Sequence, residues 1–256
     1  MRIVVKVGTS TLAHATGRLN IRHVEELVKV LSDLKNAGHQ VILVSSGAIG
    51  MGVGKLNLPG KPSDMPTKQA AAAVGQCELM YTYDKLFLQY NHTVAQVLLT
   101  GEDVDHPERR ENFENTMERL LELGALPVIN ENDTIATAEI KVGDNDTLGA
   151  IVACCTKADL LVLLSDIEGL YTADPRKDPN AKLIPTVEEV TPEIEALAGG
   201  VGSSLGTGGM ATKLRAAKMV IAQGCDMVIT NGEHPERLYD IAEGKYVGTR
   251  FVAHKA

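Results

Sequence analysis

Short β-branched runs alternate along this chain with segments whose apolar residues recur every three to four positions. The first run, Arg2-Ile-Val-Val-Lys-Val7, ends in Gly8-Thr9-Ser10 and reads as a buried strand feeding a tight turn. Val24, Leu27, Val28, Leu31 and Leu34 then keep helical spacing behind Asn20, a residue suited to capping, and the pattern stops at 36–38. The same reading gives strands over 40–44, 93–99, 126–130, 159–164, 225–230 and 249–252. It gives helices over 66–90, 108–123, 148–155, 210–223 and from 235 onward. Gly47, Gly50, Gly52 and Gly54 are expected to form a glycine-rich turn before a proline-rich loop. This order predicts an α/β protein, a three-layer α/β/α sandwich with a mostly parallel central sheet, in one domain over 1–256.

In such a sheet, ligands sit outside the C-terminal ends of the strands. Lys6 interrupts an apolar strand near that end, so it is expected to face a ligand; the competing reading is an edge lysine that deters aggregation. A second lysine-bearing turn lies far along the chain, where Gly202-Ser-Ser-Leu-Gly-Thr-Gly-Gly-Met-Ala-Thr-Lys213 runs into a helix. Glycines let the backbone approach an anion closely, and a helix start offers unpaired N–H groups and a positive dipole end. The segment is not a Walker A loop, because Thr212 rather than glycine precedes Lys213. Both lysines are expected at the rim of the sheet, where their removal would spare the fold.

Other strand ends carry matching chemistry. Ser45-Ser-Gly-Ala-Ile-Gly50 offers hydroxyls and N–H groups to an anionic substrate. Asn130-Glu-Asn-Asp-Thr134 and Gly143-Asp-Asn-Asp-Thr147 add carboxylates and amides, although either could be a plain turn or a helix cap. Ser165-Asp166 and Gly169-Leu-Tyr-Thr-Ala-Asp-Pro175 complete the set. Two lysines with several polar turns on one sheet edge suit phosphoryl transfer, which needs fixed positive charge and alignment more than covalent help.

Composition narrows the choice of partners. A formal charge of −8 argues against nucleic acid or an anionic membrane, so positive charge must be concentrated locally. No apolar run reaches ~18 residues, which predicts no membrane span, and with no leader expected the protein is assigned to the cytoplasm. The four cysteines, Cys77, Cys154, Cys155 and Cys225, show neither metal-ligand nor disulfide spacing, so no protein metal site is expected. A ligand sensor that keeps the glycine loops is one alternative. A nicotinamide oxidoreductase is another, but Gly50-Met-Gly-Val-Gly54 lacks the GxGxxG spacing.

The motifs Lys6-Val-Gly-Thr-Ser10, Val44-Ser-Ser-Gly-Ala-Ile-Gly50, Asn130-Glu-Asn-Asp133, Gly143-Asp-Asn-Asp146, Gly169-Leu-Tyr-Thr-Ala-Asp-Pro-Arg176 and Gly206-Thr-Gly-Gly-Met-Ala-Thr-Lys213 together resemble the glutamate 5-kinase branch of the amino acid kinase superfamily. The likeness runs the length of the chain, in a form without the C-terminal PUA-type domain that many members carry. It implies transfer of the ATP γ-phosphoryl group to the side-chain carboxylate of L-glutamate, with Mg²⁺, as the first step of proline biosynthesis. It implies that Lys6 and Lys213 stabilise the moving phosphoryl group, that Asp146 holds both lysines, and that Asp144 assists. Ser46, Asp133 and Asn145 are implied to bind glutamate, mainly in the N-terminal part of the domain. Ser165, Asp166 and the run Thr207, Gly208, Gly209, Met210, Ala211, Thr212 and Lys213, with Lys6, are implied to bind ATP. The resemblance further implies a homo-oligomer inhibited by proline. Superfamily members acting on aspartate, N-acetylglutamate or carbamate are the nearest alternatives.

Overall fold

The computed structural model describes residues 1–14, 18–136, 144–198 and 209–253. The first half runs β1 (Arg2–Val7), α1 (Thr9–Leu12), α2 (Ile21–Asn36), β2 (Gln40–Ser45), α3 (Ala48–Lys55), α4 (Met65–Leu88), β3 (Val94–Leu99), α5 (Gly101–Asp105), α6 (Pro107–Glu122) and β4 (Leu126–Glu131). The second half runs α7 (Asn145–Cys155), β5 (Leu160–Ser165), β6 (Thr186–Val187), α8 (Pro192–Ala196), α9 (Met210–Ile221), β7 (Asp226–Asn231), α10 (Arg237–Ala242) and β8 (Thr249–Phe251).

The strands form one sheet in the order β3-β4-β2-β1-β5-β7-β8-β6. Neighbours are parallel except β7 and β8, which are antiparallel. Side chains alternate along each strand, so each strand feeds two cores. Val4, Ile42, Ile129, Leu161 and Ile229 pack toward α6, α7 and α9. Ile3, Val5, Leu43, Val162 and Val228 pack toward α2, α4 and α10. Two apolar faces covered by helices give the expected three layers.

β1 lies between β2 and β5 in the middle of the sheet. Lys6 therefore lies near the C-terminal end of a central strand, and the reading of it as an edge lysine that deters aggregation fails.

The glycine-rich stretch after β2 is a helix, α3, and not a turn. Gly47 does make a turn, with φ +105°, a left-handed conformation that leads into the helix. Gly52 and Gly75 serve packing instead. A Cβ on Gly52 would lie 1.8 Å from the Ala71 carbonyl oxygen, and one on Gly75 would lie 1.7 Å from that of Ala48. Glycine there lets α3 and α4 touch backbone to backbone, which a reading of glycines as turn formers misses.

The start of α7 also differs from its apolar pattern. Apolar periodicity starts at Leu148, but the helix starts at Asn145, because the Asp144 carboxylate caps it by accepting from the Thr147 N–H at 2.9 Å. A polar first turn carries no apolar signal.

Candidate active site

Lys6 lies near the end of a strand whose Ile3, Val4, Val5 and Val7 are buried, and its position beside Val4 on the alternating face turns it toward α7 and α9. Asp146 lies in the first turn of α7, where a negative charge complements the helix dipole. Lys213 lies in the first turn of α9. Asp146 Oδ1 meets Lys6 Nζ at 2.6 Å and Oδ2 meets Lys213 Nζ at 2.9 Å. The lysine side chains are 12% and 7% exposed and the carboxylate 1%, so the triad is an interior one. The contact to Lys213 is a well-aligned hydrogen bond, whereas that to Lys6 is an ion pair without such alignment.

Burial opposes ionisation of Asp146, yet the two ammonium groups outweigh it and lower its pKa to about 2. Among the described residues two cations share one anion, leaving a net positive charge in a largely buried place beside the cavity. Such an excess of positive charge favours the approach of an anion.

On one side of the triad lies a cluster of neutral polar groups. Asn145, next to Asp146, donates from Nδ2 to Ser46 Oγ at 2.6 Å and to Asn130 Oδ1 at 3.1 Å. Asn130 Nδ2 donates in turn to Gln76 Oε1 at 3.0 Å. Ser46 follows β2, Asn130 ends β4 and Gln76 belongs to α4, so three elements converge on α7. Asp133 is half-buried in the turn after β4, three residues past Asn130.

On the other side is a cavity of about 290 Å³. Ser165, Asp166, Gly209, Met210 and Lys213 line it, together with Glu168, Tyr171, Arg176 and Asn231. Gly209 caps α9 in an extended conformation with φ −88°, which any residue could adopt. A Cβ there would have no atom of the described residues within 4 Å.

Of the four residues expected to be catalytic, Lys6, Lys213 and Asp146 are brought together. Asp144 is not among them: its oxygens accept from the N–H (2.9 Å) and hydroxyl (3.1 Å) of Thr147. Ser46 and Asn145 meet directly. Among the expected nucleotide residues, Ala211 is exposed and does not line the cavity, and the Thr212 hydroxyl lies 3.1 Å from Asp146 Oδ2 and 2.7 Å from the Gly209 carbonyl. Thr207 and Gly208 lie outside the described residues. Sequence reasoning missed Gln76, Glu168 and Asn231. Gln76 could have been found as the one polar residue in the helical stripe Ala72, Gln76, Leu79, Tyr83.

The Amino acid kinase family model matches residues 1–231, and the chain belongs to that family. Curated relatives of high identity carry one name within it. The chain is 53% identical over 258 aligned residues to glutamate 5-kinase of Clostridium perfringens, covering 99% of this chain and 96% of that protein. It is 56% identical over 253 residues to glutamate 5-kinase of Clostridium tetani, covering 99% and 95%. Among solved structures, carbamate kinase from Giardia lamblia bound to AMP-PNP superposes with a TM-score of 0.70 at 16% identity, covering 98% of each chain. T. acidophilum isopentenyl phosphate kinase gives 0.67 at 18%, covering 98% of this chain and 100% of that one. At those identities the two structures share the fold with this chain.

Proposed function

We propose that this protein transfers the γ-phosphoryl group of ATP to the γ-carboxylate of L-glutamate, giving L-glutamyl 5-phosphate. The observation that carries this reading is the buried Lys6–Asp146–Lys213 triad, with a neutral amide cluster on one side and a cavity on the other. Ser46, Asn145 and Asp133 bind glutamate from the N-terminal part of the domain. The cavity takes the nucleotide, with Ser165 and Asp166 on the nucleoside side and the start of α9 along the phosphates. The helix start at Gly209 suits a phosphate approaching the unpaired N–H groups there.

A carboxylate oxygen of glutamate attacks the γ-phosphorus while the bond from that phosphorus to the β-phosphate bridging oxygen breaks, and ADP leaves with the electron pair. Lys6 and Lys213 offset the charge that grows on the transferring group. Asp146 keeps both ammonium groups charged and aimed. Among the described residues no group of three or more His, Cys, Asp or Glu side chains could hold a metal. Mg²⁺ would enter with the nucleotide substrate, held mainly by its phosphates, which leaves little need for a dedicated protein cage.

Three further parts of the reading have separate supports. Proline shares the α-carboxylate and ammonium of glutamate, so it competes for part of the same site. A homo-oligomer would cover Tyr81 and Leu88 on the outer side of α4, which are 63% and 66% exposed. No described helix is long and apolar enough to cross a membrane, which suits action in the cytoplasm.

The test is ADP release with ATP and, in turn, glutamate, aspartate, N-acetylglutamate and carbamate, then glutamate with proline. Glutamate alone should support rapid turnover, because a side chain one methylene shorter misplaces the reacting oxygen by ~1.5 Å and costs ~10²-fold. Equal rates with aspartate would overturn the substrate, and insensitivity to proline would overturn only the control.

A further inference from the structure

Gln76 sits beside the acceptor cluster on the buried side of α4, 7% exposed. Its orientation follows from hydrogen bonds that begin at an unambiguous donor. The Glu131 backbone N–H donates to Asn130 Oδ1 at 2.9 Å, so the amide nitrogen of Asn130 must point the other way. That nitrogen donates to Gln76 Oε1, which turns Gln76 Nε2 away from Asn130. Nε2 is buried and has no hydrogen-bond partner among the described residues. Two N–H donors are thus left unmet in the interior, a costly state that an incoming acceptor would relieve.

The same polarity runs down the other arm. Asn145 spends both hydrogens of Nδ2, on Asn130 Oδ1 and Ser46 Oγ. Ser46 therefore accepts from inside the protein, and its own hydrogen is left for an acceptor outside. One backbone N–H sets a chain of amides whose two ends, Gln76 and Ser46, both offer donors. Packing holds the ends near each other: Gly75 abuts the Ala48 carbonyl, which brings α4 against the turn that carries Ser46.

We propose that Gln76 is a substrate-contact residue of the acceptor site, its Nε2 donating to a carboxylate oxygen of the acid substrate. A carboxylate supplies the missing acceptor; an ammonium group or an apolar side chain does not. The identity of that acid rests on the glutamate reading above, while the donor role of Gln76 does not.

The experiment uses the full chain and steady-state kinetics. Wild-type protein is assayed first across the four acids; no turnover with glutamate would sink the substrate reading alone, and the variants are then measured with the acid that does turn over. Gln76→Met removes both the donors and the acceptor used by Asn130. Gln76→Glu, assayed at pH 9 where the new carboxyl ionises, keeps an acceptor for Asn130 but replaces the donors with a repelling oxygen. Both should raise KM for the acid by about 10- to 100-fold, as for lost hydrogen bonds to a charged group, and leave KM for ATP unchanged. Gln76→Glu should be at least as impaired as Gln76→Met. A normal KM in Gln76→Glu beside a raised one in Gln76→Met would make Gln76 a mere anchor for Asn130 and overturn the proposal, as would a normal KM in both. Should Gln76→Glu fail to fold, thermal shifts decide on Gln76→Met. Loss of the shift with the acid but not with a non-hydrolysable ATP analogue supports the proposal, and retention of both shifts overturns it.

Discussion

The two sides of the triad are built by opposite means. The proposed acceptor side is a continuous chain of hydrogen bonds, from Gln76 through Asn130 and Asn145 to Ser46, that draws on α4, β4, α7 and the turn after β2. The nucleotide side is a cavity whose wall includes the carboxylates Asp166, Glu168 and Asp174 beside the start of α9. Glu168 accepts from Asn231 Nδ2 at 3.1 Å and from Arg237, and Arg176 meets Asp174 at 3.2 Å, so two of those carboxylates are held by cations or amides at the rim. On the proposed reading a small acid would meet donors already fixed in place, whereas a large nucleotide would meet an open wall. The contrast predicts that changes on the acceptor side act through glutamate affinity and helix packing, and that the triad between the sides affects both.

The largest effect is expected at the triad. Lys6→Ala and Lys213→Ala should each lower kcat by about 10²–10³-fold, the usual loss when one preorganised charge leaves a developing oxyanion site. Each variant still leaves Asp146 one ammonium partner, so any loss of stability in denaturant unfolding should stay below the ~3–5 kcal/mol of a fully broken buried pair. Near-wild-type turnover in a folded variant would remove that lysine from the mechanism. Asp146→Asn should slow the chemical step more than it weakens glutamate binding, read as a kcat loss with little change in KM.

Gly75→Ala comes next. Its Cβ cannot coexist with the Ala48 carbonyl at 1.7 Å, so α3 and α4 must separate, at about 1–3 kcal/mol of stability. The melting temperature should fall and KM for glutamate should rise, with KM for ATP unchanged. A rise in KM for ATP instead would erase the division drawn above. Asn145→Ala is milder: it should raise KM for glutamate about tenfold, from the loss of the hydrogen bond to Ser46 and of its own contact to the substrate.

The smallest effect near neutrality is that of pH. The Asp146 carboxyl titrates at about 2 in the folded protein, below the ~3.9 of an unfolded chain. Its contribution to stability is therefore complete above ~4 and is lost as pH falls toward 2. Unfolding free energy measured from pH 8 to 5 should show no loss from this group, and Asp146→Asn should flatten the part of the profile below pH 4.

The sequence discloses the architecture well because the sheet strands are unbroken apolar runs, and 160–165 is buried throughout. It also discloses most of the residues that meet, since Lys6, Asp146 and Lys213 are charges set beside apolar or glycine-rich neighbours. What it hides is of two kinds. Glycines at 52 and 75 look like turn formers until the facing helix is known, because their use is a contact between distant segments. Gln76 and Glu168 belong to no motif, and their importance comes from partners at Asn130 and Arg237 that lie 54 and 69 residues away.

The central place of β1 has a consequence in time. Its hydrogen-bonding neighbours are β2 nearby and β5 from residue 160, while the anion that meets Lys6 comes from residue 146 and is shared with a second cation at 213. Contacts of such separation are slow to form, since a long loop must close before they reward the chain. On a ribosome, most of the polypeptide must emerge before the first strand finds its second neighbour. The interval before that is when an apolar strand stands half-paired and prone to aggregate. Recovery of catalysis after dilution from denaturant should accordingly trail the return of helical circular dichroism, and simultaneous recovery would show that the ends of the chain meet early.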